Sequence, residues 1–148
     1  MSGQVFRCEY RVTYAHCTAG NHVYYSRYLD ILEAARGEFF RHLGWTFLYW
    51  QERDTIFPVV ECRLRYKGAA CYDDVLTTEL WLTEVEKVRL NFACRIMNPE
   101  RHILVEGVTL HVCTSLHDKP KRLPEELRAA LQAYLNVTAE IAWTGSVA

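Results

Sequence analysis

Residues 23–43 read VYYSRYLDILEAARGEFFRHL, with no proline and a single glycine, Gly37. On a helical wheel at about 100° per residue, the apolar side chains cover one wide face and most polar ones form a narrow stripe. Gly44 follows directly, and glycine is the residue that most often caps a helix C-terminus. The segment therefore predicts one helix of about 20 residues.

Segments on both sides of this helix alternate apolar and polar residues, as half-buried strands do. Their bounds are 5–14, 60–66, 76–82, 88–96 and 103–113. Pro124 then opens a short amphipathic helix that ends near Leu135. Connections of hairpin length favour antiparallel pairing, and a largely apolar helix needs a sheet to cover it. The order predicts an α+β chain with the hot dog fold, an antiparallel five-stranded sheet wrapped around one long helix.

Composition limits the class of protein and its partners. The 148 residues suit a single domain, predicted over 1–148, and 50% hydrophobic with 24% charged residues excludes intrinsic disorder. Lys plus Arg is 17 and Asp plus Glu is 18, so neither nucleic acid nor a membrane is expected as a partner. No leader-like apolar run is present at the start, which favours a cytoplasmic location. Six scattered cysteines are expected to be free thiols.

A set of residues spread over the chain carries a family resemblance. Its members are Tyr14, Gly20, Val23-Tyr24-Tyr25, Tyr28-Leu29, Glu33, Arg36, Phe57-Pro58-Val59-Val60, Tyr66, Ala69-Ala70, Tyr72-Asp73-Asp74, Glu106-Gly107, Lys119-Pro120 and Arg122-Leu123-Pro124. From about residue 5 to 135 the chain resembles the 4-hydroxybenzoyl-CoA thioesterase family of hot dog proteins. The resemblance implies an acyl-CoA thioesterase that yields a free acid and CoA. Release of a polyketide or fatty acyl chain from an acyl carrier protein is the close alternative.

One position departs from the family. Relatives carry an aspartate in the loop before the long helix as nucleophile or base, and Thr18 stands there in this chain. A threonine hydroxyl does not ionise near neutral pH, so it positions a water at most. The resemblance places the oxyanion donor at the backbone of Tyr25. The predicted catalytic set is Tyr14, Thr18, Asn21, His22, Tyr25, Glu33 and Arg36, with His16 as a further candidate base. Thioesterases of the enediyne polyketide type also resemble the chain in lacking the carboxylate and keeping the helix arginine.

Several alternatives stay open at this level. Arg36 falls inside the apolar arc, so it is either catalytic or one half of a structural pair with Glu33. Loss of the aspartate also fits an acyl-CoA binding protein without catalysis. A thiolate at Cys17 is a weak alternative, and so is a metal site made by His16, Cys17 and His22. We therefore expect no metal and no cofactor.

Basic residues form two clusters that suit the phosphates of CoA. Lys87 and Arg89 match the strand region where relatives hold the nucleotide, although they are equally the solvent side of a strand. Lys119 and Arg122, with Lys121 between them, form the second cluster. Trp45, Phe47, Tyr49 and Trp50 are candidates to wall an acyl pocket. A single sheet of this kind leaves an edge uncovered, so a homodimer or homotetramer is predicted.

Overall fold

A computed structural model describes residues 3–137 of the chain. The strands are β1 (Phe6–Arg11), β2 (Val59–Tyr66), β3 (Val75–Val85), β4 (Arg89–Met97) and β5 (Ile103–Val112). The helices are α1 (Tyr28–Leu43), α2 (Phe47–Gln51) and α3 (Glu125–Gln132). The strands pair antiparallel in the order β1-β3-β4-β5-β2, which confirms the predicted five-stranded sheet, long helix and short C-terminal helix.

The core lies between α1 and the inner face of the sheet. Phe39, at the centre of α1, is fully buried and packs edge-on against Phe92 of β4 and Tyr134 after α3. Leu127 and Leu131 of α3 are also fully buried. The position of α1 over the sheet decides which helix residues face solvent and which face the sheet.

The long helix begins later than its sequence predicts. Val23 and Tyr24 are not helical: the Val23 N–H donates to the Ala70 carbonyl and the Tyr24 N–H to the His16 carbonyl, both at 2.9 Å. A 3-10 turn, Tyr25–Arg27, then leads into α1. The start at residue 23 is therefore wrong. The aromatic and β-branched residues there satisfy their N–H groups in extended pairing, which the helical period does not reveal.

Two further bounds differ from the prediction. The first strand stops at Arg11, and Tyr14 lies in a separate 3-10 turn, Tyr14–His16. The aromatic segment after Gly44 forms α2, whose Tyr49 N–H is capped by the Thr46 hydroxyl at 3.2 Å. Trp50 of this helix is buried in the core rather than exposed to a ligand.

Strand β2 is one of the two edge strands of the sheet, opposite β1, and pairs on one side only, with β5. Opposite it in β5 lies Gly107, where a Cβ would collide with the Arg63 carbonyl oxygen and with Leu64. A residue without a side chain is needed at this crossing. Gly107 thus lets the edge strand approach β5 closely.

No helix within residues 3–137 has the length and apolar content to span a membrane. The predicted single domain covers residues 1–148, and its two ends lie outside the described range. The domain boundaries therefore stay a prediction.

Candidate active site

The loop before α1 holds three of the predicted catalytic residues in one tight turn. The Thr18 N–H and its hydroxyl both donate to the His22 carbonyl, at 2.8 and 3.2 Å, and the Asn21 N–H donates to the Thr18 carbonyl at 3.0 Å. Asn21 has φ of 63°, the left-handed region that asparagine tolerates well. Its side-chain oxygen accepts from the Tyr72 N–H at 3.4 Å. Thr18, Asn21 and His22 are all solvent-exposed.

Tyr25 opens the 3-10 turn that leads into α1, as the oxyanion prediction requires. The hydrogen bonds of residues 3–137 include no acceptor for its backbone N–H. Its carbonyl accepts from the Tyr66 hydroxyl of β2 at 2.9 Å, which ties this turn to the edge strand. Tyr28 makes a similar tie, since its hydroxyl accepts from the Ala70 N–H at 2.9 Å. Sequence reasoning assigned neither hydroxyl a role.

His16 has side-chain contacts with Tyr10 and Asp30, and the Cys17 thiol has a raised pKa. The His16 ring stacks on Tyr10 and its Nδ1 lies 2.9 Å from the Tyr10 hydroxyl, while its Nε2 lies 3.8 Å from an Asp30 carboxylate oxygen. Desolvation raises the pKa of the Cys17 thiol, with smaller contributions from Cys71 and Asp74. A raised pKa is the opposite of what an activated thiolate needs. In the described part of the chain no three His, Cys, Asp or Glu side chains cluster to hold a metal.

A cavity of about 300 Å³ lies beside the middle of α1, bounded by α2, the segment before β2 and the inner face of the sheet. Its apolar lining comes from Phe40, Phe47, Ile56, Phe57, Leu90 and Phe92. Its polar lining comes from Glu33, Arg36, Gln51, Thr55 and His111. A mostly apolar pocket with a few polar groups is typical of small-molecule sites, and this volume suits a small acyl group.

Arg36 is directed into this cavity and is largely buried. The expected structural pair is absent: in residues 3–137 no carboxylate lies within 4.0 Å of its guanidinium, and Glu33 is exposed. Desolvation lowers the pKa of Arg36, and the neighbouring Cys94, Glu33 and Cys62 oppose this effect. The guanidinium therefore carries its charge in a poorly hydrated place without a direct counterion.

His111 is the polar residue of the cavity that sequence reasoning missed. Its Nδ1 lies 2.9 Å from the Phe57 carbonyl, so Nδ1 must carry the proton, and its Nε2 accepts from the Thr109 hydroxyl at 2.9 Å. Burial lowers the pKa of His111 to about 4, the Phe57 carbonyl opposes this, and the charge of Arg36 adds to it. His111 is thus a neutral imidazole of fixed tautomer. Its place on the inward side of β5, two residues after Thr109, was the available signal.

The two basic clusters lie next to each other. The Leu123 N–H donates to the Lys87 carbonyl at 2.9 Å, and the Lys121 N–H donates to the Cys113 carbonyl at 3.0 Å. The β3–β4 turn and the segment after β5 are therefore neighbours. Lys87, Arg89, Lys119 and Arg122 are all exposed there. This group of four residues is called the basic rim below.

The predicted catalytic residues thus divide into two groups within one chain. Thr18, Asn21 and His22 share the loop turn beside Tyr25, and Tyr14 packs edge-on against Tyr72 nearby, at 5.5 Å between ring centroids. Glu33 and Arg36 line the cavity instead, and none of the loop residues does. Arg36 lies eight residues beyond Tyr28, or about 12 Å along the helix axis.

Comparison with known proteins gives a consistent assignment. A sequence profile of the thioesterase-like superfamily matches residues 12–131. The acyl-CoA thioesterase YbgC of Haemophilus influenzae is 34% identical over 128 residues, which cover 84% of this chain and 93% of that protein. Among solved structures, the hypothetical protein TT1821 from Thermus thermophilus superimposes with a TM-score of 0.80 at 30% identity, over 86% of this chain and 98% of the other. Slr0204, a 1,4-dihydroxy-2-naphthoyl-CoA thioesterase from Synechocystis, shares the fold with a TM-score of 0.80 at 22% identity, over 86% and 96% of the two chains.

Proposed function

The chain belongs to the thioesterase-like superfamily, and we propose that it is an acyl-CoA thioesterase, which hydrolyses the thioester to a free acid and CoA. The observation that carries this proposal is the 34% identity to an acyl-CoA thioesterase across 93% of that enzyme's length. The cavity beside α1 and the basic rim supply complementary sites for an acyl group and for phosphates. We also propose the finer kinship with 4-hydroxybenzoyl-CoA thioesterases, with Thr18 in place of their aspartate.

The oxyanion is assigned to the start of the helical segment. Water adds to the thioester carbonyl carbon, negative charge gathers on the carbonyl oxygen, and the CoA thiolate then leaves. The Tyr25 N–H has no acceptor in residues 3–137, so it is available to donate to that oxygen. Tyr66 holds the carbonyl of the same residue, which restrains the backbone turn that presents this N–H. The donor is a backbone N–H group, so the absence of the aspartate side chain does not affect it.

The attacking water is assigned to the loop turn. The Thr18 hydroxyl donates its one hydrogen to the His22 carbonyl, so its oxygen lone pairs are free to accept a hydrogen bond from a water. His22 is the proposed general base, because its backbone carbonyl is bonded to Thr18, its side chain is exposed, and histidine is the side chain most often used for proton transfer. Asn21 and Tyr14 complete the loop side of the site. Glu33 and Arg36 complete it on the cavity side.

A dimer is proposed because a large apolar area is exposed around the edge strand and the start of α1. Tyr14 is 76% exposed, Val60 64% and Tyr25 60%, and β2 presents an unpaired edge beside them. Exposed apolar patches with a free strand edge are typical of assembly surfaces. A homodimer, or a homotetramer built from it, would cover them. Separately, we propose a cytoplasmic location for the protein.

The basic rim is proposed to bind the nucleotide phosphates of CoA. Changing Lys87 and Arg89 together to alanine should raise the apparent KM for CoA esters by roughly 30-fold or more, because each of the two charged hydrogen bonds to a phosphate contributes about 1–2 kcal/mol. A short thioester without the nucleotide should be hydrolysed with unchanged KM. Steady-state kinetics on both substrates checks this, and equal losses on both would point to a folding defect instead.

Hydrolysis itself is tested by release of free thiol from a panel of acyl-CoA esters, beside isothermal titration of the same esters. Binding with release supports the enzyme. If the esters bind but none of them releases free thiol, the proposal is overturned in favour of an acyl-CoA binding protein. A phosphopantetheinylated carrier protein loaded with the same acyl groups then separates CoA from carrier-bound substrates.

A further inference from the structure

The cavity beside α1 contains a cation whose charge no neighbouring group neutralises. Arg36 lines it, and in residues 3–137 no carboxylate reaches ion-pair distance of the guanidinium. A buried charge without a partner is costly, because its lost hydration is not replaced. Five N–H donors in a planar fork are suited to a carboxylate, which accepts two of them at once.

The sheet below Arg36 does not supply the missing anion. The ionisable groups there that act on Arg36 are the thiols of Cys94 on β4 and Cys62 on β2, and the imidazole of His111 on β5 is neutral. Burial raises the pKa of both, that of Cys94 to about 12, so both are neutral at physiological pH. Glu33 acts on Arg36 only at longer range and is exposed at the cavity mouth.

The other buried polar side chains of the cavity already have hydrogen-bond partners, whereas Glu33 and Gln51 are exposed. His111 uses both ring nitrogens, one toward the Phe57 carbonyl and one toward Thr109. The Thr55 hydroxyl donates to the Arg53 carbonyl at 3.0 Å. Arg36 is therefore the strong donor that the cavity offers to a ligand.

The position of Arg36 along α1 indicates which part of a substrate it meets. The thioester carbonyl is assigned to the Tyr25 N–H, and Arg36 lies about 12 Å further along the axis from the first residue of α1. Helical side chains lean toward the N-terminus, so the guanidinium reaches back over part of this distance. It therefore faces the acyl group at some distance from the reacting carbon.

We propose that the cavity is an acyl site selective for carboxylated acyl groups, in which Arg36 binds a carboxylate at the far end of the chain. The proposal rests on the thioesterase function and names its substrate class. It assigns Arg36 to substrate selection and leaves the reacting carbonyl to the start of the helical segment. The apolar walls contact the methylene chain between the two ends.

The test compares two thioesters of equal carbon number, adipoyl-CoA and hexanoyl-CoA, which differ in the terminal carboxylate. The native protein should show kcat/KM for adipoyl-CoA higher by roughly tenfold or more. Arg36→Met should reduce this ratio to about one or below, and Arg36→Lys, which keeps the charge without the fork, should give an intermediate ratio. Arg41→Met removes an exposed cation from the same helix and should leave the ratio at its native value.

A ratio is used because a uniform catalytic loss cancels from it. If Arg36 acts on the reacting carbonyl instead, Arg36→Met lowers both rates equally and the ratio survives, which would overturn the proposal. A native preference for hexanoyl-CoA would overturn it as well, whatever the variants show. If neither ester is hydrolysed, the thioesterase function fails separately, and isothermal titration decides: tighter binding of adipoyl-CoA that disappears in Arg36→Met supports the site, and equal binding overturns it.

Discussion

Thr18, which we propose stands in place of an aspartate of related thioesterases, differs from that residue in its effect on the loop as well as in charge. Its hydroxyl donates to the His22 carbonyl, and an aspartate there has no proton to donate and would repel that oxygen. Thr18→Asp should therefore leave kcat unchanged or reduce it, with a slightly lower melting temperature. Thiol release and thermal unfolding check this together. Thr18→Ser keeps the donor and serves as the control, and a large gain in kcat with Asp would contradict the assigned mechanism.

His111 makes the stability of the protein depend on pH. Its folded pKa of about 4 lies below the ordinary 6.5, so the unfolded chain binds more protons between these values. The free energy of unfolding should then fall as pH drops from 6.5 toward 4, by on the order of 3 kcal/mol from this group. Urea unfolding across this interval checks it.

The matched variants for this pH effect are His111→Gln and His102→Gln. The first should remove the His111 share of the slope, whereas the second changes an exposed histidine in a turn and should keep the native slope. Equal slopes in the native protein and His111→Gln would show that His111 is not the titrating group.

The chemistry of single residues was partly visible in the sequence. Arg36 was recognisable because a charged residue interrupts an apolar helical face, and that pattern requires no knowledge of the sheet. Its pairing with Glu33 was the wrong alternative, since spacing along a helix does not say whether a side chain turns to solvent. The role of His111 depends on Thr109 and on the Phe57 carbonyl, 54 residues away along the chain, and no local pattern reports such a contact.

At the scale of elements, Gly107 determines how the edge strand sits. Gly107→Ala places a Cβ against the Arg63 carbonyl and Leu64, so β2 must shift and the free energy of unfolding should fall by about 2 kcal/mol. Gly37→Ala is the control, because a Cβ there meets Phe47 at an ordinary 3.6 Å inside a helix and should stabilise by roughly 0.5–1 kcal/mol. Urea unfolding of both variants checks the pair, and a neutral Gly107→Ala would mean that β2 is free to move.

Elements with strong periodicity were predictable and their junctions were not. Strands β3, β4 and β5 lie close to their predicted segments, although β3 and β5 are buried on both faces along part of their length, as at Thr78–Leu82. The start of α1 was misplaced because Val23 has its backbone partner far along the chain, at Ala70, and Tyr24 has its partner in the preceding loop, at His16. Helix α2 was missed because its residues Phe47–Gln51 form little more than one turn, too short for a helical period to show.

The whole molecule presents an apolar surface that one chain leaves uncovered, and this predicts assembly. Val60 lies on the free edge strand and is 64% exposed, so a lysine there would place a charge in the proposed interface. Light scattering at micromolar concentration should find the native protein as a dimer or larger, and Val60→Lys should shift it toward a monomer. Thiol release should fall in parallel, because Tyr25, which carries the proposed oxyanion donor, lies in the same exposed surface and would lose its cover.

Leu116→Lys adds the same charge at an exposed leucine outside this surface and should preserve the assembly. A stable native monomer would contradict the prediction and would confine the site to the residues of one chain. The loop turn and the cavity share no lining residue, so the substrate has to span the length of α1 that separates Tyr25 from Arg36 in either case. Light scattering therefore tests whether a second copy covers the exposed loop turn at one end of that span.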